Sequence, residues 1–209
     1  MKAGSGPRPA EWAVIAFTGA YVAGFALWFL RTGNLEFMVY VATMAILAGL
    51  LALTRRLAAY PVAMLWALSL WGLMHMAGGS VPAGDSVLYN LVLVPLAGSG
   101  ELSVLKYDQA VHAYGFGVTA WLVWHVLVHR HPSTRGTVTA LLLPPLAAMG
   151  LGTVNEIIEF VAVLSVPKTN VGGYLNTALD LVFNAIGAAV AMVLIVLAER
   201  LRAPARPPA

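Results

Sequence analysis

An aspartate and a histidine stand four residues apart in YDQAVHAYGFG (107–117), and two glutamates stand three apart in NEIIEF (155–160). On a helix both spacings place the pair on one face, so Asp108 joins His112 and Glu156 joins Glu159. Asn176, Asp180 and Asn184 form an i, i+4, i+8 stripe, and His75 in HMAGG adds a second imidazole. Carboxylates with imidazoles are the donors that hold zinc, iron or manganese. They are equally the parts of acid–base catalysis and of proton relays.

These side chains sit in a very apolar chain. It has 209 residues, 60% hydrophobic and 10% charged, with mean hydropathy +0.81. A soluble domain carries about 25% charged residues. The composition therefore indicates an all-α, polytopic membrane bundle. With no cysteine there are no disulfides, thiolate zinc sites or iron–sulfur clusters. The net charge of +3 resides at span ends, where it reports topology rather than nucleic-acid binding.

About six helices must position the polar groups: roughly 10–30, 35–54, 59–78, 107–128, 137–163 and 175–200, each long enough for a ~30 Å hydrocarbon core. Together they make residues 1–200 one transmembrane domain, and the first span reads as retained rather than as a cleaved signal. The breakers RTGN (31–34), RRLAAYP (55–61), HRHPSTRG (129–136) and PKTNVGG (167–173) separate them. The proline-rich end, 201–209, is expected to be a disordered cytoplasmic tail. The connection from about 79 to 106 holds SVLYNLVLVPLAGSGE, too interrupted to span, which suggests a re-entrant or interfacial segment between the third and fourth helices.

Lys2, Arg8, Arg55, Arg56, Arg130, Arg135, Arg200, Arg202 and Arg206 fall on one side of these spans, and Arg31, Lys106 and Lys168 on the other. That asymmetry makes both termini cytoplasmic in a bacterial inner membrane. His75, Asp108, His112, Glu156, Glu159 and Asp180 then share one depth near the outer face, although their four helices run in alternating directions. Lipid cannot solvate them, so each polar strip must face the bundle interior. Gly115, Gly117, Gly150, Gly152 and Gly187 would let the helices approach there.

Four carboxylates would bring a charge of about −4 into a low-dielectric site, which calls for bound cations, protons or paired bases. Two divalent ions, as in dinuclear carboxylate bundles, would neutralise it. One zinc held by His75, His112 and a carboxylate is equally legal. Each residue also has a structural reading: His75 as an interfacial group, Asp108 as a first-turn acid favoured by the helix dipole, and Asn155, Asn176 and Asn184 as supporting hydrogen-bonders. Arg31 and Glu36 read as a surface pair on the same side as the site. His125, His129 and His131 read as interfacial anchors at the opposite end. Pro144 and Pro145 should kink the fifth helix.

The motifs HMAGG, YDQAVHAYGFG, NEIIEF and GGYLNTALDLVFNAIGA (172–188) resemble the YjdF-type inner-membrane proteins, a family of unknown function, over the last four helices. The later part is also similar to the wider VanZ-like group, whose members are associated with lipoglycopeptide resistance. The resemblance implies a shared fold and carries over His75, Asp108, His112, Glu156, Glu159 and Asp180. The chain departs from the family pattern at Asn176, often an acid there, and at Asn155, often an aromatic.

The expected function is a metal-dependent enzyme acting on a lipid or lipid-linked substrate, with one carboxylate left to take a proton from water. An ion- or proton-coupled transporter and an accessory subunit of a membrane complex are the alternatives.

Overall fold

The computed structural model describes residues 6–33, 35–165 and 172–202, without the side chains of 35–39 and 101. Six long helices dominate: α1 (Pro9–Thr32), α2 (Leu35–Ala58), α3 (Val62–Ser80), α4 (Tyr107–Arg130), α5 (Val138–Ser165) and α6 (Tyr174–Arg202). All six are long and apolar enough to cross a membrane. Leu201 and Arg202, which the sequence assigns to the expected tail, belong to α6. Its remainder and Lys168 lie outside the described residues.

The helix ends follow from local chemistry. At the start of α1 the Glu11 carboxylate accepts the Arg8 backbone N–H at 2.7 Å, and Pro9 occupies a first-turn position that needs no donor. Gly33, at φ +66°, closes the same helix with its N–H on the Phe29 carbonyl. Gln109 fastens the start of α4 from both sides, accepting the Lys106 N–H at 3.0 Å and donating to the Ser103 carbonyl at 3.0 Å. α5 continues through Pro144 and Pro145 without a break.

The connection between α3 and α4 is β structure rather than a returning helix. β1 (Pro82–Ala83) pairs antiparallel with β2 (Ser86–Val87), and β3 (Val92–Ala97) with β4 (Val104–Lys106). Gly84, Gly98 and Gly100 take positive φ at the turns, which lets a Val/Leu-rich run fold back on itself. This small β cap is an addition to the all-α reading, and a re-entrant course of the segment is not confirmed.

α4 is the hub. In its most apolar window 44% of residues are buried inside the protein, against 6% for α2, so α2 is peripheral. α4 packs most extensively on α6 and next on α5. Ala120, Ala148 and Ala188 meet where these three helices cross. A side chain at Gly187 would collide with the Ala113 carbonyl, so glycine sets the α4–α6 spacing. Gly117 lies on the same seam, whereas Gly150 faces open space and plays no part in it.

At the basic end, Arg8 and Arg55 enclose the Glu11 carboxylate and Arg8 Nη2 donates to the Tyr60 carbonyl at 2.9 Å. Arg135 pairs with Glu199 at 3.4 Å across the α5–α6 ends. His125 Nε2 lies 2.9 Å from the Ala58 carbonyl and its ring stacks on His129, as befits an anchor.

Candidate metal centre

The opposite end of the α4–α5–α6 unit collects the intramembrane ionisable groups. On α6, Asn176, Asp180 and Asn184 are buried, while Leu181, Val182 and Ile186 on the other face are exposed. The helix is thus polar inward and apolar outward, as a bilayer demands. On α5 the i, i+4, i+8 row Ala148, Gly152, Glu156 is buried. Any side chain at Gly152 would strike the Asn184 amide, so this glycine gives Asn184 its seat. On α4 the Gln109 fastening fixes the first turn and aims Asp108 and His112 into the same space.

His112 is the centre of the constellation, 3% exposed at its side chain. Its Nε2 is 3.6 Å from Asp108 Oδ1, and its Nδ1 is 3.7 Å from Glu156 Oε1 and 3.0 Å from Asn184 Oδ1. Asp108, His112 and Asp180 each offer a ligand atom within 4.8 Å of the other two, and so do His112, Glu156 and Glu159. The two triads share one imidazole. An amide oxygen can only accept, so Asn184 Oδ1 takes the Nδ1 proton and Nε2 is the ring nitrogen left to act as a ligand. That nitrogen faces Asp108, which makes Asp108–His112–Asp180 the triad ready to ligate.

Asn176 ties the first triad together. Its Nδ2 donates to Asp180 Oδ2 at 2.6 Å and Asp108 Oδ2 at 3.1 Å, and its Oδ1 accepts from Lys106 Nζ at 2.9 Å. Asn155 Nδ2 donates to Glu159 Oε1 at 2.9 Å in the second. Among the described residues both Glu156 oxygens, Asp180 Oδ1 and Asn184 Nδ2 are buried without a hydrogen-bond partner. Buried polar atoms rarely stay unsatisfied, and a cluster of them on candidate ligands calls for a cation or ordered water. Lys106 alone cannot balance four carboxyl groups.

Five of the six proposed ligands therefore converge. His75 does not join either triad. Its ring lies between Tyr40 and Tyr89, with centroids 5.0 and 5.7 Å away, because the last turns of α3 direct it toward α2. Tyr89 donates to the His75 carbonyl at 2.7 Å, and burial together with the Asp108 charge pushes its phenol well above the usual range, so it stays protonated. Arg31 is exposed at the end of α1, and the Glu36 side chain lies outside the described residues.

Lys106 is the site residue that the sequence placed only among the basic groups of the outer side. The β4 pairing with β3 carries it inward, where it is 6% exposed. Its sole signal in the chain is its position two residues before Asp108.

No curated protein and no solved structure matches the chain. A family model does, over residues 13–200, in agreement with the YjdF-type resemblance carried by the last four helices. By that match the chain belongs to the family described as "Predicted membrane protein (DUF2238)".

Proposed function

We propose that the chain holds a divalent metal ion at Asp108, His112 and Asp180 and uses it in a reaction on a lipid or lipid-linked substrate. One observation carries this reading. An imidazole nitrogen and carboxylate oxygens from α4 and α6 lie within 4.8 Å of one another, and an oxygen of the most buried member, Asp180, has no partner among the described residues. Three protein ligands leave a coordination position for substrate or water, the pattern of catalytic rather than structural sites. Glu156 stands on the other side of the ring, where a free carboxylate suits a general base. Zinc, iron and manganese all accept this donor set.

The asymmetry of nine basic residues against three supports termini in the cytoplasm of a bacterial cell and a site in the outer half of the inner membrane. The proton-coupled carrier is the weaker reading. His112 between two carboxylates resembles a relay step, yet no Asp, Glu, Lys, Arg or His follows between it and His125 on α4, between Asn184 and Glu199 on α6, or from residue 138 to 155 on α5. A relay would need a continuation there.

Elemental analysis of the purified protein tests the metal. Near-stoichiometric zinc, iron or manganese, lost in His112→Ala, is expected; a folded wild-type protein that takes up none of the three contradicts the reading. The reaction is tested by incubating the protein with vesicles of total bacterial lipid and comparing lipid masses with and without a chelator. A chelator-sensitive product missing from the His112→Ala sample is expected, and an unchanged lipid profile argues against the enzyme.

A further inference from the structure

Beside the carboxylate cluster, a shallow cleft opens between α2, α3 and α5. Thr43 and Leu47 form one wall, Trp71 and His75 the floor, and Asn155 and Ile158 the other wall. The cleft exists because α2 packs only lightly on α3 and α4, while α5 leans on α4 and α6. The side of the bundle between α2 and α5 is consequently open at the depth of the spans.

We infer that this cleft receives an acyl chain of a membrane lipid, so that the substrate of the neighbouring site enters sideways from the bilayer rather than from water. The inference rests on the proposed function and adds to it the route by which the substrate arrives and the place where its tail lies. The occupant follows from where the cleft opens. Both helices that frame its mouth are span-length and apolar, and Leu47 at the rim is 41% exposed on that outward side. What lies against such a surface in a membrane is hydrocarbon. The walls match that chemistry, being aromatic and aliphatic except for Thr43, His75 and Asn155. The polar groups point the amphiphile. Asn155 hydrogen-bonds Glu159, a member of the second triad, so a chain lying in the cleft brings its polar head toward the carboxylates and His112.

The test uses the full chain in phosphatidylethanolamine vesicles containing a small fraction of the same lipid with a photoreactive diazirine on its acyl chain. Illumination should label Met44, Trp71 and Ile158, in competition with excess unlabelled lipid. Leu47→Trp and Thr43→Trp fill the cleft from α2, away from every proposed ligand, and each should lower that labelling about tenfold. Leu197→Trp, on the outward face of α6, should leave it unchanged. Metal content is measured on the same samples. Cleft labelling that survives in a protein shown to bind no metal supports the lipid site while removing the metal reading. Labelling spread evenly over outward residues, or undiminished in both cleft variants, overturns the inference.

Discussion

Glu11 and Glu156 are the same residue type, about equally buried at opposite ends of the bundle, with side chains 6% and 7% exposed. Their surroundings differ completely. Glu11 accepts hydrogen bonds from the Arg8 backbone, the Arg8 guanidinium and Arg55. Both Glu156 oxygens are buried without a hydrogen-bond partner among the described residues, and the imidazole 3.7 Å away is already engaged by another side chain. A carboxylate ringed by cations is consistent with holding a structure together. One buried beside other carboxyl groups without such partners destabilises the fold unless something binds it. The basic end is built to be closed and the other end to be filled.

The largest expected break in this contrast comes from His112→Ala or Asp180→Asn, which remove a donor from the first triad. Metal affinity should drop by about 100-fold or more, beyond the 10–100-fold typical of supporting residues. Equilibrium dialysis against zinc measures it, and retained binding in both variants would shift the site elsewhere. Asn184→Ala should come next, with a loss of about 10–100-fold, because the imidazole then loses the partner that holds its Nδ1 side and orients Nε2. Its thermal melting should change much less than its affinity.

Glu11→Gln tests the closed end. It removes charge from bonds to Arg8 and Arg55 and should cost ~1–3 kcal/mol of stability, seen as a lower melting temperature with metal affinity untouched. The mirror substitution, Glu156→Gln, should have the smallest effect on folding. The metal-free protein should melt at the wild-type temperature or slightly above, since the change relieves an uncompensated buried acid. Equal destabilisation by the two substitutions would erase the distinction between the ends.

Much of this arrangement is legible in the chain. The spans follow from the length of apolar runs between Gly-, Pro- and Arg-containing breakers, and α1 through α6 lie within a few residues of the expected limits. The site is legible because ionisable residues inside such runs have few tolerable positions, and helical spacing alone puts Asp108 with His112 and Asn176 with Asp180 and Asn184. What escapes depends on tertiary pairing. Val92 opposite Lys106 draws the lysine into the site, and nothing local to Lys106 announces that register. A Val/Leu-rich segment such as 91–97 reads equally well as a buried helix or a strand. The direction of His75 is set by how α3 packs in the bundle, which turns its ring to Tyr40 of α2 and to Tyr89. The preference for one triad over the other also comes from a contact between helices, that of Asn184 with His112.

Anomalous X-ray scattering from the crystallised chain grown with zinc bears most directly on the central claim. The account predicts one strong peak about 2.0–2.2 Å from His112 Nε2 and from carboxylate oxygens of Asp108 and Asp180. A correctly folded bundle with no peak between α4 and α6, or with zinc only at His125 and His129, would contradict it.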